Sequence, residues 1–103
     1  MFTRDTVITT VKKFIEDCEE KNIQFSSVIL FGSSLTGTVH EFSDIDVLLA
    51  SPQFTFDKWE NAKLIATVNK KYKFIEAHTF PRDYYLKGDP FINEVIEKGY
   101  RIK

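Results

Sequence analysis

Apolar residues recur through the first part of the chain at Val7, Val11, Phe14, Ile15 and Cys18, the spacing of one face of a helix. That helix should start near Thr3 to Asp5, where side chains can cap free amides and the acid favours the positive end of the dipole. It should stop near Lys21-Asn22, because asparagine tolerates the left-handed conformation that ends helices. Val28-Ile29-Leu30-Phe31 is a short apolar run, partly β-branched, and reads as a buried strand that Gly32-Ser33 brings to an end. A turn into a short helix follows, then a loop around Gly37 with the polar Thr36, Thr38, His40 and Glu41. From Ser43 to Ala50 the pattern predicts a second strand, with Ile45, Val47 and Leu49 facing a core and Asp44 and Asp46 sharing the opposite side.

In the second half, Ala62, Ile65 and Val68 mark one face of a helix from about Asp57 to Lys70, with Asp57 as its cap and Trp59 off the stripe. Tyr72 to Phe80 alternates like a strand. Asp89 caps a last helix with Pro90 at its first position, Phe91, Ile92, Val95 and Ile96 turned inward, and Gly99 as terminator. The order is helix, strand, short helix, strand, helix, strand, helix. The roughly ten residues between the first two strands are too few for a parallel crossover with its helix. The expected fold is therefore α/β of the α+β kind: one domain over residues 1–103, a mixed sheet, and helices mainly on one face. The open face or end would then carry the carboxylates.

A chain of 103 residues fits one small domain, and ten phenylalanines supply large buried area for that size. The net charge of −1 gives no general attraction to nucleic acid or membrane, which argues against a dedicated nucleic-acid binder. Cys18 is the only cysteine, so an intramolecular disulfide is impossible and a cytoplasmic location is the natural default. Its place on the apolar helical face makes it a buried small hydrophobe. The N-terminus lacks the basic-then-apolar pattern of a signal peptide, and no apolar run has the length of a membrane span.

Chemistry enters with Asp44 and Asp46. Two carboxylates about 6–7 Å apart at their Cα atoms on one face of a strand repel each other and make poor stability residues. A D-x-D alone is commonly a solvated edge strand or an Asx-rich turn. Here it follows a strand-Gly-Ser element, a turn at which backbone can approach phosphate oxygens. Because Mg²⁺ favours one or two carboxylates plus substrate phosphates, the combination points to metal-dependent chemistry on a nucleoside triphosphate.

Phe31-Gly32-Ser33, Gly37 and Ser43-Asp44-Ile45-Asp46-Val47 resemble the G-S-x10-D-x-D signature of the DNA polymerase β-like nucleotidyltransferases, and within them the minimal nucleotidyltransferases of prokaryotes. Members usually carry a third carboxylate on the next strand, a place that Glu76 fills. Between Ser33 and Gly37 this chain has Ser34-Leu35-Thr36, where many minimal members have a basic residue. The resemblance implies a palm-like core and attack of an acceptor hydroxyl on the α-phosphate of a nucleoside triphosphate, most simply AMP transfer from ATP. Asp44, Asp46 and Glu76 would hold two Mg²⁺ ions, and Gly32 and Ser33 would meet the donor phosphates. It also implies a partner, since such domains often accompany a HEPN-type toxin and in some cases adenylylate one of its tyrosines. The alternative is an antitoxin or binding module that pairs with that helical partner with weak or no catalysis. His78 shares the Glu76 face by alternation and reads first as a hydrogen-bonded structural histidine, and otherwise as a contact to substrate or metal. Ser43 reads as a loop-fixing residue, and Lys70, Lys71 and Lys73 as a solvated cluster.

Overall fold

Val7, Val11, Phe14, Ile15 and Cys18 form the buried side of the first helix, α1 (Arg4–Glu20), as their spacing predicts. The computed structural model describes residues 4–32 and 44–103; the short helix expected after Ser33, the loop around Gly37 and His40, and Ser43 lie outside the described residues. Asn22 takes a φ of 66° just past α1, and the amide of Ile23 returns to the carbonyl of Cys18 at 3.1 Å. Burial, reinforced by the neighbouring Asp17 and Glu19, pushes the Cys18 thiol up to about 12. It stays protonated and packs as a hydrophobe.

The strands are β1 (Ser27–Phe31), β2 (Ile45–Ser51), β3 (Ile75–Pro81) and β4 (Tyr100–Arg101), and they lie in the order β3-β2-β1-β4. β2 pairs antiparallel with β1, to which it is joined by the short connection, and parallel with β3, from which α2 (Lys58–Asn69) separates it. β4 pairs antiparallel with the other side of β1. The sheet is mixed, as the connection length requires.

Period-two alternation divides its residues between two cores. Val28, Leu30, Ile45, Val47, Leu49 and Ile75 face α1 and α2, whose Phe14, Ile65 and Val68 complete the larger core. Ile29, Leu48 and Ala50 face the other way and are buried by Tyr85 of α3 (Arg82–Lys87) and by Ile92 and Val95 of α4 (Pro90–Lys98). The two long helices thus share one face, while two short ones cover part of the second. At roughly 0.8 kcal/mol per buried methylene, both cores hold the sheet's central strands.

Three local expectations change. On α2 the buried stripe is Asn61, Ile65 and Val68, with Ala62 exposed. Asn61 is buried because it is satisfied: its Nδ2 donates to the Thr55 carbonyl at 2.8 Å and to Thr79 Oγ1 at 3.0 Å, and its Oδ1 accepts from the Thr55 amide at 2.8 Å. On α4, Ile92 and Val95 are buried, but Phe91 and Ile96 remain 41% and 43% exposed. The expected caps form. Asp57 accepts from the amides of Trp59 and Glu60, Asp89 accepts from the amide of Ile92 at 2.7 Å, and the Gly99 amide donates to Val95 at 2.7 Å. Among the described residues no helix is long and apolar enough to cross a membrane.

Candidate active site

The site is built at the start of β2, where three strands lie side by side. Asp46 points away from Ile45 and Val47, and the register sets it beside Phe31 of β1 on one side and Glu76 of β3 on the other. One pair further along the same face, Leu48 stands beside His78. Adjacent strands are about 4.8 Å apart, so this register alone brings Asp46, Glu76 and His78 within reach of one another. Their nearest ligand atoms all lie within 4.8 Å. Nε2 of His78 is 3.2 Å from Oδ1 of Asp46, which accepts a hydrogen bond when that nitrogen carries the proton. Their side chains are 31% and 26% exposed, open enough for a ligand to enter and covered enough to be held.

Aromatic side chains fix the imidazole and fence the site from the second core. The His78 ring lies 5.1 Å from Phe31 and 6.0 Å from Phe91, ring centre to ring centre, and Phe31 and Phe91 meet edge to face at 5.6 Å. Phe80, two residues beyond His78 on β3, continues the wall to Phe91 and to Tyr84. Lys58, at the start of α2, places Nζ 3.8 Å from the centre of the Phe80 ring and donates to the carbonyl of Thr79. Its burial there lowers the ammonium pKa, against an opposing pull from Asp89.

Gly32 closes the arrangement. Its φ is +81°, and a β-carbon there would come within 2.5 Å of Oδ2 of Asp46. The backbone at the end of β1 therefore abuts the carboxylate as only glycine allows. Asp44 is exposed immediately before β2 and is not among the three converging groups. Ser33 lies outside the described residues. His78, read first as structural, is the residue that joins the carboxylates, and the signal for it was its two-residue spacing from Glu76.

The donor set suits a divalent cation. Ligands about 2.0–2.2 Å from one ion stand roughly 3 Å apart when adjacent and up to about 4.4 Å apart when opposite, so the observed spacing needs only a small side-chain adjustment. Two carboxylates and an imidazole are all groups that metals take.

A family model described as a nucleotidyltransferase domain matches residues 11–102. The chain belongs to that family. The matched span holds all four strands together with Gly32, Asp44, Asp46, Glu76 and His78. In fold, this nucleotidyltransferase domain is similar to a chain of the solved complex of tri-AMPylated Shewanella oneidensis HEPN toxin with MNT antitoxin, at a TM-score of 0.54 and 16% identity, over 97% of this chain and 71% of that one. At that identity the likeness speaks for the fold. A comparison with curated proteins gives no match. Nucleotidyltransferase domains generally work with a divalent metal, and the domain presents an acidic group able to hold one.

Proposed function

We propose that this domain is a Mg²⁺-dependent transferase that moves a nucleoside monophosphate, AMP from ATP, onto a hydroxyl of another molecule, and that the acceptor is a tyrosine of a HEPN-type helical partner. The observation that carries this reading is the juxtaposition of Asp46 and Glu76 on paired strands with Gly32 pressed against Asp46, inside a nucleotidyltransferase domain. Metal ions bound there neutralise charge on the donor phosphates and lower the pKa of the attacking hydroxyl.

The chain's own part is positioning. Asp46 and Glu76 face one another across the strand pair, and Asp44, exposed just before β2, would supply the third carboxylate, so that the three would share the work of holding two ions. Gly32 leaves the end of β1 free of a side chain where triphosphate oxygens would approach, and Ser33 follows it with a hydroxyl and an amide to donate. Phe31 and Phe91, packed edge to face, line one flank of the site. The near-zero net charge and the absence of a membrane-length helix among the described residues fit a cytoplasmic protein acting on a protein or small molecule rather than on nucleic acid.

A second reading draws on Phe56, Trp59 and Leu86, large apolar side chains that are 75%, 80% and 71% exposed. In that reading the domain neutralises its helical partner by covering it, and transfer is dispensable. One experiment separates the two. Purified chain, the candidate partner, Mg²⁺ and each labelled nucleoside triphosphate are incubated together, with wild type compared to the Asp44→Asn, Asp46→Asn double variant. Label from ATP on a partner tyrosine, lost in a variant that still folds and binds the partner but fails to neutralise it in cells, supports transfer. Neutralisation by the double variant at the wild-type level would make binding sufficient.

A further inference from the structure

We propose that His78 is a direct ligand of the ion held at Asp46 and Glu76, and that its imidazole makes this site prefer Mn²⁺ to Mg²⁺. The inference rests on the metal-dependent reading above only for the presence of an ion at that place. His78 offers a ring nitrogen to the same group of ligand atoms within 4.8 Å as the two carboxylates, and Nε2 is the nitrogen turned toward Asp46, 3.2 Å from its Oδ1. The ring is already oriented. Contacts with Phe31 and Phe91 on its sides hold the imidazole in the site without using its nitrogen for the purpose.

Ligand chemistry then sets the preference. Mg²⁺ is small, demands oxygen donors in near-ideal octahedral geometry and gives up water reluctantly, so an imidazole adds little to its binding. Mn²⁺ accepts the same carboxylates and, as a first-row transition ion softer than Mg²⁺, takes an imidazole nitrogen among its ligands more readily than Mg²⁺ does. A site of three carboxylates has no such handle. Here, Glu76 is followed two residues later on the same face by a nitrogen donor, so the ion meets one imidazole together with its oxygens. A histidine that merely oriented Asp46 by the 3.2 Å hydrogen bond would leave the choice of ion unchanged.

The test uses the intact chain and Mn²⁺ alone, with no nucleotide. Electron spin-echo modulation of the bound Mn²⁺ should show coupling to a ¹⁴N nucleus, replaced by a ¹⁵N pattern when histidine is ¹⁵N-labelled, a change that leaves the fold untouched. His40→Gln should keep the coupling and His78→Gln should lose it. Mn²⁺ affinity should fall by about tenfold or more in His78→Gln while Mg²⁺ affinity, followed by calorimetry, changes by less than about threefold. Bound Mn²⁺ without nitrogen coupling would overturn the assignment, as would an unchanged ratio of affinities in the variant. Failure of the chain to bind Mn²⁺ would overturn it too, while Mg²⁺-dependent transfer would still be judged by its own assay.

Discussion

A β-carbon on residue 32 would sit 2.5 Å from Oδ2 of Asp46, so the identity of one residue is set by the carboxylate of another fourteen positions along the chain. Gly32→Ala should therefore act twice. The left-handed φ of +81° costs about 1–2 kcal/mol for any residue with a β-carbon, and the displaced Asp46 weakens ion binding. Urea unfolding should show that loss at an unchanged slope, and a divalent-ion titration should show reduced affinity. A variant that kept wild-type stability and wild-type ion affinity would mean that the backbone moves freely at this point.

Glu76 faces Asp46 across the parallel pair and is exposed, so Glu76→Gln changes the charge of the site without disturbing a core. Transfer should slow by about a hundredfold or more, a loss of roughly 3 kcal/mol of transition-state stabilisation, while binding of the triphosphate stays close to wild type. Single-turnover transfer alongside equilibrium nucleotide binding makes the comparison. A large loss of affinity with no loss of rate would place Glu76 at the donor instead. Thermal stability should hold or rise, because repulsion with Asp46 is relieved.

Asn61 tests the link between α2 and β3. Asn61→Ala takes the side-chain partner from the amide and carbonyl of Thr55 and removes the buried bridge to Thr79, and should destabilise the domain by about 1–3 kcal/mol. Denaturant unfolding measures this directly. A change below about 0.5 kcal/mol would show that water replaces the side chain at no penalty.

Asp89 supplies the pH dependence. The amide of Ile92, with the Tyr84 hydroxyl as a further donor, holds its carboxyl below the usual range. A group whose folded pKa is depressed stabilises fully above its unfolded pKa and loses that contribution as pH falls through the folded one. Asp89→Asn keeps a good cap but no charge, so the stability gap between wild type and variant should be constant near pH 6 and close progressively below about pH 4. At the alkaline end Tyr84 runs the other way: bonding to Asp89 raises its pKa, and that contribution fades as pH climbs beyond the range of free tyrosine. Urea midpoints measured from pH 2 to 11 cover both ends, and a gap that widened in acid would contradict the assignment of the cap.

Where an element was long or carried its own punctuation, the sequence was enough to find it. The stripe of α1, the Asp57 and Asp89 caps, the inward Ile45, Val47 and Leu49, and the mixed sheet implied by a short connection are all present. Six residues of α3 are too few to show a period, and the two of β4 are strand only because β1 offers an open edge. Ala62 and Asn61 exchanged roles because composition ranks alanine as the apolar residue, whereas three hydrogen bonds make asparagine the buried one. At the site, alternation turned Asp46 away from Val47 and Leu49 and the family resemblance supplied Glu76, but the adjacency of the two depends on pairing across α2, a long-range relation that no local pattern contains. The same pairing raised His78 from the structural reading to a member of the polar group.

That pairing also polices its own formation. Slipping β3 by one residue against β2 would turn Glu76 and His78 toward α1 and α2, among Val47, Leu49 and Ile65, and would expose Ile75 in their place. Burying an ionised carboxylate there is prohibitively unfavourable, so the misaligned sheet is rejected by the residues that its misalignment would ruin. These polar groups therefore guard the route to the finished protein, and their convergence is a certificate that the strands met in the right frame.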